Sequence, residues 1–85
     1  MDDLGRQLKR AREARGVSLR DIATRTKISI TALEALERSE FHRLPGGIFS
    51  RAVVRAYAAE VGLDPDITVE NFLNRARLRA GPRGA

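Results

Sequence analysis

Arg20, Lys27, Ser29, Thr31 and Arg38 come closest, by type and spacing, to recognition chemistry. They supply guanidinium, ammonium and hydroxyl groups, which hold phosphate oxygens and base edges. Among them stand Ile30, Glu34 and Glu37. An isoleucine can touch a thymine methyl but cannot anchor register, and a glutamate can accept from cytosine N4 but repels phosphates. The segment therefore offers phosphate attraction and little base reading. Arg6, Lys9, Arg10 and Arg15 add basic charge upstream.

Catalytic and metal chemistry are poorly provided for. The chain has no Cys and a single His, His42. That excludes disulfides and a Cys-based metal site. A lone His builds no zinc site without a carboxylate cluster, and a Ser-His-Asp triad would have to use His42 in a connecting loop. No enzymatic activity, metal, cofactor or small-molecule substrate is expected. The net charge of +5 and the pI near 11.0 suit an anionic partner: nucleic acid, an acidic protein face or a membrane surface. Apolar runs fall well short of the ~20 residues that cross a bilayer. Met1-Asp2-Asp3 is acidic where a signal peptide starts basic. The chain reads as soluble and cytoplasmic.

Eighty-five residues make one domain with one core. No stretch alternates in the manner of a strand, so the fold expected is all-α. Five helices are predicted, at about 4–15, 18–26, 29–38, 48–61 and 65–79, forming a domain over 1–79 with a flexible basic tail at 80–85. Leu4, Leu8, Ala11 and Arg12 share a face of helix one, and Gly16 stops it. Ser18 with Asp21 forms a capping box for helix two, and Ser29 is a cap for helix three. Two short helices joined so tightly cross steeply, so Gly16–Glu37 has helix-turn-helix spacing. In helix four, Phe49, Val53 and Tyr57 recur at i, i+4 and i+8, with Ala52 and Ala56 beside them, and Gly62 ends it. Such a stripe suits either a core or a partner. Helix five starts at Pro65 or Thr68 and carries Ile67, Val69, Phe72 and Leu73. No dimerisation helix stands out.

Leu8, Arg12, Gly16, Ser18, Ile22-Ala23, Ile28-Ser29, Leu36 and Glu37 resemble the phage-repressor-like helix-turn-helix pattern. The resemblance implies that family's DNA-binding-domain fold, a five-helix bundle here, and pairing of Arg12 with Glu37. It also implies a DNA-binding alternative using Arg20, Lys27, Ser29, Ile30, Thr31 and Arg38. The family's usual Gln at the start of helix two is replaced by Leu19, and Ile30 and Glu34 stand where readers are expected.

The following segment carries a more specific resemblance. Ala35 to Ala58, with the connector Phe41-His42-Arg43-Leu44-Pro45-Gly46-Gly47, and then Gly62-Leu63-Asp64-Pro65, resemble the cytoplasmic domain of the RodZ family of bacterial cell-shape proteins. The likeness spans about residues 4–73. It implies a non-enzymatic interaction module that binds the actin-like filament protein MreB and links it to the membrane. The family's partner surface has two aromatic positions four apart on helix four. Phe49 matches the first, Val53 stands at the second, and Tyr57 matches a further aromatic. Arg51 and Arg55 would flank the patch and steer an acidic partner. Arg75, Arg77, Arg79 and Arg83 fit a juxtamembrane basic segment that attracts anionic lipids. The resemblance places the domain at the cytoplasmic face of the inner membrane when it is part of a longer anchored protein.

Overall fold

The computed structural model describes residues 3–44 and 48–80, with side chains through Asn74. Its elements are α1 (Leu4–Ala14), α2 (Leu19–Thr26), α3 (Ile30–Glu37), a 3₁₀ turn at Phe41–Arg43, α4 (Ile48–Glu60) and α5 (Pro65–Ala80). There is no strand among the described residues. The expected all-α bundle of five helices is the fold observed.

The helix ends follow the chemistry of the caps. Asp3 accepts from the Arg6 amide at 2.9 Å and opens α1. Gly16 follows α1 at a φ of 68°, and Gly62 follows α4 at 80°, a backbone region that costs glycine little. Ser18 caps α2 reciprocally with Asp21: the Asp21 amide donates to Ser18 Oγ at 3.0 Å, and the Ser18 amide donates to Asp21 at 3.3 Å. Ser29 accepts from the Ala32 amide at 3.1 Å. Both serines are therefore caps outside the helices they were expected to begin. The start of α5 is settled at Pro65, with Asp64 Oδ1 accepting from the Ile67 amide at 3.0 Å.

Two features were not expected. The connector contains a 3₁₀ turn at Phe41–Arg43, which presents Phe41 edge-on to Phe72 of α5 with ring centroids 5.0 Å apart. Lys27 between α2 and α3 is left-handed at φ 64°, which turns the chain sharply enough for the two helices to cross. Residues 45–47 of the connector and 81–85 of the expected tail lie outside the described residues.

Every helix contributes to one core. Leu4 and Leu8 from α1, Ile22 from α2, Leu33 and Leu36 from α3, Val53, Val54 and Tyr57 from α4, and Val69 and Phe72 from α5 are buried together. The helices α4 and α5 pack as neighbours across the short turn at Gly62–Asp64, as antiparallel hairpins do. The fold thus leaves two outward faces to examine: α3 with the turn before it, and the α4–α5 hairpin.

Candidate functional site

The Arg12–Glu37 pair forms as the family pattern implied. Arg12 Nε and Nη2 donate to the two Glu37 carboxylate oxygens at 2.6 and 3.2 Å, a bidentate arrangement. Arg12 Nη1 also donates to the Val17 carbonyl at 3.0 Å. The two side chains are only 14% and 7% exposed. The Tyr57 hydroxyl reaches the same carboxylate and the Leu8 carbonyl. One network therefore ties α1, α3 and α4 together, and the Glu37 hydrogen bond raises the Arg12 pKa.

Burial, and then the Glu37 carboxylate, push the Tyr57 phenol pKa upward from its ordinary 10.0. A raised folded-state pKa favours the folded state fully below the unfolded pKa. That stability is lost as pH rises above about 10, where the unfolded chain releases the proton and the folded chain holds it. Tyr57 is the single tyrosine, so tyrosinate absorbance reads it without interference. The expected result is that tyrosinate appears only together with loss of helical circular dichroism. Ionisation with the helices intact would contradict the burial.

The α4 stripe is corrected by the structure. Val53 and Tyr57 are 1% and 0% exposed. They belong to the core, and the surface open to a partner excludes them. Packing of α4 against α2, α3 and α5 consumes that side of the helix. Phe49 is 55% exposed and its neighbour Ile48 is 80% exposed. Ala52, Arg51 and Arg55 are exposed as well. Ile48 and Ala52 are four apart and Phe49 and Ala52 three apart, so the three form a small apolar patch on the first turns of α4. Arg55 leans onto Asp66 of α5, Nη1 to Oδ1 2.6 Å, with both side chains largely in solvent. Ile48 was legible only as a helix start. Its position four residues before Ala52 was the available signal.

The α3 face holds the other set. Arg20, Lys27, Ser29, Ile30, Thr31 and Arg38 are all exposed. Ser29 Oγ is engaged as a cap, which leaves Thr31 as the hydroxyl on that face. Leu19 and Ile28, by contrast, pack against the core, and Ala35 is buried. Lys9, Arg12, Leu19, Glu34, Glu37 and Arg38 line an open cleft of about 260 Å³ between α1, α2 and α3. Its carboxylates offset its cations, so it is no simple anion pocket. Arg75, Arg77 and Arg79 have side chains outside the described set, as does all of Arg83. Among the described residues no group of His and acidic side chains could hold a metal. No helix there is long and apolar enough to cross a membrane.

The sequence model of a helix-turn-helix domain family matches residues 7–68. The chain is 33% identical over 69 residues to the cytoskeleton protein RodZ of Streptococcus pneumoniae, covering 81% of this chain and 25% of that protein. It is 42% identical over 50 residues to YmfM, a membrane protein of Bacillus subtilis, covering 59% of this chain and 17% of that one. The chain thus spans about a quarter or less of these curated relatives. Among solved structures, YmfM of Staphylococcus aureus, provisionally described as a DNA-binding membrane protein, superposes with a TM-score of 0.76. The identity is 30%, with 86% of this chain and 89% of that chain covered.

Proposed function

We propose that this chain, which belongs to the helix-turn-helix domain family and within it to the RodZ type, is a non-enzymatic protein-interaction module. It docks an MreB-like actin-type filament through the start of α4 and joins that filament to the membrane in a longer protein. One observation carries the reading: Ile48 and Phe49 are 80% and 55% exposed on the first turns of α4, with Arg51 and Arg55 beside them. A solvated phenylalanine next to a larger aliphatic exposure is what an interface anchor looks like before it is covered. The arginines suit an acidic rim on the filament and raise the encounter rate. The name of the pneumococcal relative supports a cytoskeletal partner, and the name of the Bacillus relative supports membrane attachment.

Co-sedimentation with polymerised MreB-like protein tests it. Phe49→Ala removes a hot-spot ring, and the affinity falls by at least about tenfold, equivalent to about 1.4 kcal/mol. Phe49 is largely in solvent, so the variant keeps the wild-type thermal midpoint. Unchanged co-sedimentation removes Phe49 from the contact.

The second reading is DNA binding. It is favoured by the exposure of Arg20, Lys27, Thr31 and Arg38 around the α3 N-terminus, and by the description of the staphylococcal neighbour. The face carries phosphate donors, but its centre holds Ile30 and Glu34. It suits weak, salt-sensitive binding better than base reading. The same basic character extends to anionic lipids, for which Arg75, Arg77, Arg79 and Arg83 are the sequence candidates.

A further inference from the structure

The two arginines beside the α4 patch are not equivalent. Arg51 and Arg55 are four apart and share an exposed side of α4. Arg51 makes no ion pair among the described residues, whereas Arg55 Nη1 lies 2.6 Å from Asp66 Oδ1. The backbone sets up this pairing. Gly62 turns the chain at a φ of 80°. The Leu63 amide donates to the Ala58 carbonyl at 2.9 Å and the Gly62 amide to the Ala59 carbonyl at 3.4 Å, the two bonds of a Schellman close. Asp64 then caps α5: its side chain accepts from the Ile67 amide, and its carbonyl accepts from the Thr68 hydroxyl at 2.7 Å. Val69 and Phe72 sit in the core, which fixes how α5 is rotated. Asp66 is thereby held in the first turn of α5, beside α4. Its side chain is 79% exposed, so it seals no core. The helix dipole asks only for an acid in that turn, and this one is spent on Arg55.

We infer that Asp66 is a specificity residue of the α4 site, an intrachain rival for Arg55 that an acidic protein partner has to displace. The inference rests on the docking reading given above and says how that site chooses its partner. A carboxylate on the partner's rim meets Arg51 directly. A second carboxylate reaches Arg55 only by breaking its pair with Asp66. Without Asp66, Arg51 and Arg55 would form a doubly cationic ledge open to any anion. With it, the ledge offers one free positive charge beside Ile48 and Phe49, so apolar anchoring has to supply the rest of the affinity. This is selection by competition: the chain weakens a purely electrostatic contact more than a mixed one. The pair is exposed on both sides, so the competition is mild and holds affinity for an acidic partner down by about two- to fivefold.

Asp66→Asn keeps the size of the side chain and removes its charge. In co-sedimentation with polymerised MreB-like protein, this variant binds about two- to fivefold more tightly than the wild type. The gain is larger at low salt than at high salt. Adding Arg55→Ala to Asp66→Asn abolishes the gain. In the wild-type background, Arg51→Ala weakens binding more than Arg55→Ala does. Glu34→Gln removes the same charge from the exposed face of α3 and leaves binding at the wild-type level, which separates release of Arg55 from a change in net charge. Helical dichroism is unchanged in each variant. Phe49→Ala, run alongside, tests the docking reading itself. Binding that depends on Phe49 but does not rise in Asp66→Asn overturns the inference and leaves the docking reading in place. So does a gain that survives Arg55→Ala, or one that Glu34→Gln reproduces. A wild type that does not sediment with filaments removes the reading and the inference with it.

Discussion

Glu37→Ala lowers folding stability by about 3–5 kcal/mol, the cost of removing one partner from a buried ion pair. The reason lies in what the carboxylate holds. It takes two hydrogen bonds from Arg12 at 2.6 and 3.2 Å and a third from the Tyr57 hydroxyl. Removing it leaves a guanidinium that is 14% exposed without its counter-charge and a buried phenol with only the Leu8 carbonyl, 3.2 Å away. A domain of this size holds a net stability on the order of 5–10 kcal/mol, so the variant loses roughly a third or more of it. Its thermal midpoint falls by more than about 10 °C. Thermal melts followed by circular dichroism check this. Arg55→Ala is the control: its pair with Asp66 is 55% and 79% exposed, and its loss costs about 1 kcal/mol or less. Equal effects of the two substitutions would contradict the account of the network.

Gly5→Ala is expected to destabilise by about 1–3 kcal/mol, although alanine is the better helix former by about 1 kcal/mol. Gly5 is buried in α1 where it crosses the end of α3. Its amide donates to Ser39 Oγ at 3.1 Å. A methyl group there would collide with the Glu37 carbonyl oxygen and lie 2.6 Å from Ser39 Oγ and 2.7 Å from the Glu37 carbonyl carbon. Those are mostly backbone atoms, so no flexible side chain can yield. α1 would have to lift from α3, and that also strains the reach of Arg12 to Glu37. Urea unfolding compares the variant with Gly16→Ala, where a methyl meets no atom within 4 Å and only the left-handed φ is disturbed. A Gly5→Ala protein as stable as the wild type would show that the α1–α3 crossing is looser than described.

These two positions also show how far the sequence could be read. Glu37 was legible, because its spacing from Arg12 belongs to a known pattern. Gly5 was not, since a glycine inside a helical pattern carries no sign of what backbone approaches it. The helix caps at Ser18, Ser29 and Gly62 were legible because each acts through its own local hydrogen bonds or dihedral angles. The side of α4 that faces out was not. Ile48, Phe49, Ala52, Val53, Val54, Ala56, Tyr57, Ala58 and Ala59 make most of that helix apolar, so periodicity defines no single face. Only packing against α2, α3 and α5 decides that Val53 and Tyr57 go inward while Ile48 and Phe49 remain outside. The turn at Phe41–Arg43 is too short for any periodicity to mark.

The scaffold and its working surface are separable on this account: α3 retains the geometry of a reader, while α4 holds the anchor. The most direct test measures both faces with the same three proteins. Wild type, Phe49→Ala and Lys27→Ala are compared in filament co-sedimentation and in titration with duplex DNA of matched and random sequence at several salt concentrations. The account predicts that Phe49→Ala loses the filament and keeps the wild-type DNA curve. Lys27→Ala keeps the filament, weakens DNA binding and reduces its salt dependence by roughly one phosphate contact. The wild type shows little preference between the matched and random duplexes. A wild type that ignores filaments yet discriminates one duplex by the roughly 10³-fold or more of a specific reader would contradict it.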